Sequence, residues 1–379
     1  MMRIAFLIEW NAYTSSGVLT KVEAQVREWC VQGHEARVFV VTPRIDGAMA
    51  IDLAISTPIF FPFPFRRRQF FNKVFATQTV SRHLRQFGPD VIYYRHSMWY
   101  PGQVGNLRHV APYIVELNSL SSEEFRMRSR LAGAFNAITE PWLLDNAAGF
   151  VAVSGEIAQH YTRAGKPVTV VANGFPVTSC EPRPPTHNER PQLLFVGTPG
   201  QSWHGLDKIT RLAAQLPDCD FHVAGPEASE IPGINGLPNI QAYGYLQRVQ
   251  LVDLYQRMDI GIGTLALHRK QMEEASPLKV REYVAHGLPV IAGYYDSDLS
   301  GSDFFLNIGN TEHNVLEQKD SIRDFIERWR GRTIDHAEVL ARVDTAAKET
   351  KRLAFMLAVI NRHEQNCQFE NSVTKHDGY

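Results

Sequence analysis

The sequence predicts an α/β protein made of two Rossmann-like domains, each a parallel sheet flanked by helices. Three observations carry that expectation. Short apolar runs alternate with amphipathic helical stretches in both halves of the chain, the rhythm of strand–helix–strand units. A polar, proline-rich segment, Val177 to Arg190, interrupts the rhythm once, as an interdomain linker does. A chain of 379 residues is long enough for two cores of ordinary size.

The elements follow in order. Ile4–Ile8 reads as a first buried strand, its apolar run too short for a signal peptide. Gly17–Val31 places Val18, Leu19, Val22, Val26 and Trp29 on one helical face, and Gly33 suits a left-handed helix end. Further strands are expected at Arg37–Val41, Val91–Tyr94, Tyr113–Leu117, Phe150–Val153 and Thr169–Val171. These make a first domain over residues 1–175, followed by a linker at 176–190. The second domain, 191–349, has expected strands at Leu193–Val196, Phe221–Ala224, Ile260–Gly263 and Val290–Ala292. Its expected helices are Leu206–Leu216, Arg248–Arg257 and Pro277–His286. From His336 to about His363 the composition favours helix, and residues 350–365 are expected to pack back on the first domain. Residues 366–379 read as a polar, frayed tail.

Lys plus Arg number 39 against 40 Asp plus Glu. So neutral a balance argues against nucleic acid as the main partner. Cys30, Cys180, Cys219 and Cys367 lie far apart and form no zinc-type pair or disulfide framework. They read as reduced thiols of a cytoplasmic protein, and no run is long enough to span a bilayer.

The chemistry concentrates in Glu274 to Ile291. Ser276 is read as a helix N-cap, with Pro277 and Leu278 opening the helix and Gly287 and Pro289 closing it. A helix N-terminus offers free N–H groups and partial positive charge, which favour phosphate. Lys279 adds a full charge in the first turn, and Glu282 follows at i+3 on the same face. One cation and one carboxylate there suit a nucleoside diphosphate: the lysine holds phosphate and the carboxylate accepts from ribose hydroxyls.

Glu274 and Glu282 form a Glu-x7-Glu pattern that, with the following Tyr-Val-Ala-His-Gly-Leu-Pro-Val-Ile, resembles retaining glycosyltransferases of family 4. That resemblance implies the GT-B fold, two Rossmann-like domains with parallel sheets facing across a cleft. It implies donor ribose binding for Glu282 and a place near the donor sugar for Glu274. Leu194-Phe-Val-Gly197 with Trp203-His-Gly-Leu-Asp207 resembles the opening of the family's second domain. Val151-Ala-Val-Ser-Gly155 and Val171-Ala-Asn-Gly174 resemble the end of its first, and Ser15-Ser-Gly17 its glycine loop. Three positions depart from the family. His204 stands where a phosphate-binding lysine is usual, Gly17 stands alone for a glycine pair, and Asn118 replaces a histidine. Glu116 or Asn118 takes part of that histidine's role, or the acceptor is handled differently.

The resemblance implies a retaining transferase moving sugar from a nucleotide diphosphate sugar to a glycan or lipid-linked acceptor, in polysaccharide or glycoconjugate synthesis. Expected catalytic residues are Glu274, Lys279 and Asn118. Expected donor-binding residues are Glu282, Ser276, Pro277, Leu278, Gly197, His204 and Gly17. Arg95 and His96 end a strand where ligands of open parallel sheets gather, and with Glu116 they are acceptor-side candidates. No cofactor is expected, and no metal, although Asp296-Ser-Asp298 has the form of a metal-binding Asp-x-Asp. The run Ile59–Phe71 sets Phe60, Phe61, Phe63 and Phe65 beside Arg66, Arg67 and Arg68. It reads either as an ordinary loop and helix start or as a peripheral contact with the inner face of the membrane. Two other functions stay open, an epimerase of the same architecture and a silent nucleotide-sugar-binding partner subunit. A dinucleotide-dependent dehydrogenase is disfavoured, because Asn11–Gly17 lacks Gly-x-Gly-x-x-Gly.

Overall fold

The computed structural model describes residues 1–14, 16–63, 69–163 and 165–376, with side chains left aside for Gln69, Arg128 and 366–376. The chain divides into two compact units, Met1–Val171 with Ala346–Tyr379, and Ala172–Thr345.

The first unit contains strands β1 (Arg3–Glu9), β2 (Glu35–Thr42), β3 (Ser56–Phe60), β4 (Val91–Arg95), β5 (Tyr113–Leu117), β6 (Gly149–Ala152) and β7 (Val168–Val170). Its helices are α1 (Gly17–Val31), α2 (Gln69–Phe87), α3 (Gln103–Arg108), α4 (Ser121–Arg128), α5 (Arg130–Leu144) and α6 (Gly155–His160). The strands pair in parallel in the order β3-β2-β1-β4-β5-β6-β7. Helices cover the sheet on both faces in such an arrangement, so the central strands are mostly apolar; β5 is buried at every position, Glu116 included. The strand order reverses between β1 and β4, and a crevice for ligands forms at such a point, beyond the strands' carboxyl ends.

The second unit repeats the plan. Strands β8 (Gln192–Val196), β9 (Asp220–Ala224), β10 (Ile240–Gly244), β11 (Ile260–Ile262), β12 (Val290–Ala292) and β13 (Phe305–Asn307) pair in parallel in the order β10-β9-β8-β11-β12-β13. Here the order reverses between β8 and β11. Its helices are α7 (Leu206–Gln215), α8 (Arg248–Tyr255), α9 (Leu278–Ala285), α10 (Asn314–Glu317), α11 (Lys319–Trp329) and α12 (His336–Val343).

A last helix, α13 (Thr345–His376), belongs to the first unit from Ala346 onward. Its Leu353, Met356, Val359 and Ile360 join the core made by Phe6, Trp29 and Tyr93. Those three rings pack with centroids 5.2–5.9 Å apart. A buried polar chain runs through the same place. Trp29 Nε1 donates to Glu349 at 2.8 Å, Glu349 pairs with Arg352, and Arg352 Nε donates to the Tyr93 hydroxyl at 2.9 Å.

The structure corrects several expectations. β3, β10 and β13 were not anticipated; all lie toward sheet edges, where partial exposure thins the apolar run. The backbone of α13 stays helical to His376, well into the expected tail. Phe60 ends β3, with the Arg44 guanidinium 4.7 Å over its ring. Phe61 and Phe63 follow, whereas Phe65, Arg66, Arg67 and Arg68 lie outside the described residues.

Candidate functional site

In the second unit, the carboxyl end of β8 gathers most of the donor-side candidates. Phe195 lies near the end of that strand, and two side chains flank its ring. Lys279 places Nζ 3.9 Å from the ring centroid, and the His204 ring stands edge-on with centroids 5.3 Å apart. Gly197 follows the strand. A Cβ there would lie 2.6 Å from Phe195 and 2.9 Å from His204, so any larger residue forces these rings to shift. Its neighbour on the next strand end, Gly225, has φ +105°, and a Cβ there would run into the Gly197 carbonyl oxygen.

Lys279 is the most telling group. Its Nζ is out of water and has no hydrogen-bond partner among the described residues. Burial alone drives its pKa well below the ordinary lysine value. Buried cations are normally paired, so an ammonium held this way is short of an anion. Pro277, the N-cap of α9, is extended and makes no side-chain cap hydrogen bond. This corrects the expected cap. Ser276 Oγ instead accepts from the Asn173 N–H at 2.9 Å and from Arg281 Nη2 at 2.8 Å. The amides at Leu278 and Lys279 therefore keep their capacity for an anion.

His204 does not supply the missing lysine's charge. Burial, then the nearby charge of Lys279, lowers its pKa to about 2, so the ring is neutral at pH 7. Lys270, unnoticed in the sequence, lies close enough to bear on the same ring and sits 4.9 Å over Trp203. The next residue, Gln271, is left-handed at φ 55°, an uncommon state for a non-glycine residue. That turn leads into Glu273–Ala275, which pairs with Tyr295 beyond β12 and holds Glu274 half-buried in extended chain. Glu282, one turn into α9 from Lys279, is mostly buried and ion-paired with Arg248, the first residue of α8. Arg248 also lies 5.7 Å over the Phe175 ring.

Arg281 and the Asp-x-Asp sequence account for each other. Arg281 and Asp296 are fully buried and joined at 2.6 and 2.9 Å, and Asp298 adds a contact at 3.1 Å. Arg281 Nε donates to the Asn173 carbonyl at 2.9 Å. One guanidinium thus ties α9 to the 173 loop, to Ser276 and to the segment after β12. The two aspartates spend their charge on it. Among the described residues, no group of three or more His, Cys, Asp or Glu side chains could hold a metal ion.

In the first unit, Gly17 opens α1 behind Ser16, whose Oγ accepts from the Leu19 N–H. One turn on, Lys21 Nζ donates to Glu116 Oε1 and to Asn118 Oδ1, both at 2.9 Å. Asn118 Nδ2 donates back to Glu116 Oε2 at 2.9 Å, and Arg95 Nη1 approaches that oxygen at 3.3 Å. Burial would raise the Glu116 pKa, but Lys21, Arg95 and Arg352 outweigh it and hold the carboxyl well below its usual range. Burial in turn pulls Lys21 down to about 8, against the attraction of Glu116. Both ends of the Asn118 amide are engaged, so its orientation is set. Arg95, Glu116 and Asn118 thus form one cluster. His96 leaves it: its Nε2 lies 3.3 Å from Glu140, in a separate buried group with Ser121 and Tyr161. Lys21 was overlooked because it sits on a face of α1 that reads as plain core.

A shallow depression of about 420 Å³, lined by Arg190, Pro217, Asp220 and Asn239, lies at the amino ends of the second sheet. It is at the opposite edge from Gly197 and lacks these features.

Residues 15–179 match the family model for Glycosyltransferase Family 4. Among solved structures, a sucrose-phosphate synthase from Thermosynechococcus elongatus aligns with TM-score 0.73 and 15% identity, over 96% of this chain and all of that one. The lipopolysaccharide outer core galactosyltransferase WaaB in its apo form aligns with TM-score 0.62 and 13% identity, over 94% and 100%. Anabaena HepE in complex with UDP-glucose aligns with TM-score 0.60 and 14% identity, over 94% and 100%. No curated protein sequence matches the chain. The fold is GT-B, with a Glycosyltransferase Family 4 match in its first half.

Proposed function

We propose that this GT-B chain, with its Glycosyltransferase Family 4 segment at residues 15–179, is a retaining glycosyltransferase. It moves a sugar from a nucleotide diphosphate sugar to a hydroxyl of a glycan or lipid-linked acceptor, in cell-surface polysaccharide or glycoconjugate synthesis. One observation carries the donor assignment: the Lys279 ammonium, out of water and without a hydrogen-bond partner among the described residues, stands at the start of α9, where Pro277 offers no side-chain cap, with Glu282 a turn away.

In this reading Lys279 and the α9 amides hold the diphosphate, and Glu282 accepts from the ribose hydroxyls, releasing Arg248. The bond from the anomeric carbon to the diphosphate oxygen breaks as the acceptor oxygen bonds to the same carbon on the same face. The departing phosphate oxygen takes the acceptor's proton, so no protein base is named. Negative charge grows on the diphosphate, where fixed positive groups stabilise it most. Lys279 and the helix end supply that charge without a metal ion. Glu274 orients the donor sugar, and Arg95, Glu116 and Asn118 are assigned to the acceptor. HepE, whose structure holds UDP-glucose, supports this donor class.

The test is a thermal-shift panel of nucleoside diphosphates and their sugars on the wild type and Glu282→Gln. A specific ligand raises the wild-type melting temperature by mass action. Losing the charged acceptor in Glu282→Gln weakens binding by about 1.5–3 kcal/mol. Stabilisation by NAD alone, or an unchanged response in Glu282→Gln, refutes the assignment. Transfer assays with Glu274→Ala then separate an enzyme from a mere binder.

A further inference from the structure

The helix α5 reverses the usual polarity over its middle turns, although Leu143 and Leu144 are buried at its end. The side facing the protein carries Asn136, Thr139 and Glu140, all buried. Ser121 Oγ donates to Glu140 at 2.5 Å, and Asn136 Nδ2 donates to Ser122 Oγ at 3.1 Å. The outward side is apolar. Leu131 is 83% exposed, Ile138 68% and Trp142 52%, with Phe135 also exposed between them. Their spacing of four, three and four residues makes a stripe about 16 Å long. A surface helix in water normally shows the reverse polarity.

The stripe widens across neighbouring elements. Trp99 packs edge-on against Trp142 at 4.7 Å, and Phe70 joins Phe135 at 5.7 Å to Phe71 at 6.0 Å. Phe71 and Phe75 of α2 are themselves exposed. A patch of this extent marks an interaction surface. Its leading end carries the exposed cations Arg126 and Arg130. Outward acidic groups at its borders are already matched, Glu123 by Arg126 and Asp145 by Arg163. Exposed indole and aliphatic side chains bordered by arginine match the boundary layer of a bilayer that contains acidic lipids.

We propose that α5 and the first turns of α2 form a docking face for an anionic lipid surface. Leu131, Ile138, Trp142, Phe71 and Phe75 enter the boundary between headgroups and acyl chains, and Arg130, whose charge is not spent on Glu123 as that of Arg126 is, meets lipid phosphate. The inference does not depend on the transfer chemistry and extends beyond the Ile59–Phe71 run singled out by composition.

The experiment is co-sedimentation of the full chain with vesicles of equimolar phosphatidylcholine and phosphatidylglycerol, beside phosphatidylcholine alone. Wild type is expected to sediment with the anionic vesicles, less with neutral ones, and less again at high salt. The double variant Leu131→Glu with Ile138→Glu is expected to lose at least about tenfold in partitioning. Both positions face solvent, so its melting temperature should match wild type. Three results overturn the proposal: no wild-type binding, equal binding by a folded double variant, or a wild-type dimer that this variant converts to monomer. The last would assign the face to a second copy. Nucleoside diphosphate binding is read separately, so failure here leaves the donor assignment standing.

Discussion

Replacing Lys279 with methionine should stabilise the free protein while weakening nucleoside diphosphate binding. The side chains are similar in length, and the aliphatic stem keeps its packing. What disappears is a buried ammonium that has no hydrogen-bond partner among the described residues and lies against the Phe195 ring. Removing such a group from a functional site typically gains about 0.5–2 kcal/mol. In a unit the size of residues 172–345 that corresponds to a melting temperature higher by about 1–8 °C. Binding moves the other way. A charge-assisted hydrogen bond is worth about 1.5–3 kcal/mol, or roughly 10- to 150-fold in dissociation constant. A ligand concentration that stabilises wild type by about 2.7 kcal/mol then stabilises the variant by only about 0.3–1.4 kcal/mol. Both quantities come from one thermal-shift titration. A variant that melts lower without ligand, yet gains as much from ligand as wild type, would refute the reasoning.

The same lysine links binding to pH. Its pKa in the free protein is lowered by burial, and a bound anion raises it. Binding therefore takes up protons, and affinity falls as pH rises above the lowered value toward the ordinary 10.4. Calorimetry in buffers of different ionisation heat should show net proton uptake that Lys279→Met abolishes. In the free protein the unfolded chain binds more protons over that window, so the contribution of Lys279 makes stability rise with pH. Arg281→Met should cost about 3–5 kcal/mol, because it strands the fully buried Asp296 without its countercharge. Adding Asp296→Asn should recover part of that loss in urea unfolding. Gly225→Ala should cost about 3 kcal/mol or more, from a left-handed backbone and a collision with Gly197. Gly33→Ala, at φ +87° with open space around it, should cost about 1–2 kcal/mol.

The parallel sheets were legible because their central strands are largely apolar runs, interrupted in β5 by Glu116 alone; β5 and β12 fall within the same residues from sequence and from structure. β10 was not, since it is only half-buried and reads as a loop. At the site, Lys279 and Glu282 stood out through local spacing on one helix. Arg248, Arg281 and Lys21 did not, for their partners lie 34, 15 and 95 residues away. Ser276 misled for the same reason. A serine before a proline suggests a cap, but the Asn173 N–H, 103 residues away, donates to its hydroxyl oxygen together with Arg281.

Because α13 completes the core begun by β1 and α1, the half of the chain synthesised first is finished last. On the ribosome, Trp29 waits for Glu349, some 320 residues downstream, before its indole finds a partner. The intervening unit needs no such delay: Thr345 N–H bonds the Phe175 carbonyl at 3.1 Å, closing its own two ends on each other. Premature termination near the 3′ end of the message would thus spare the second unit and cripple the first.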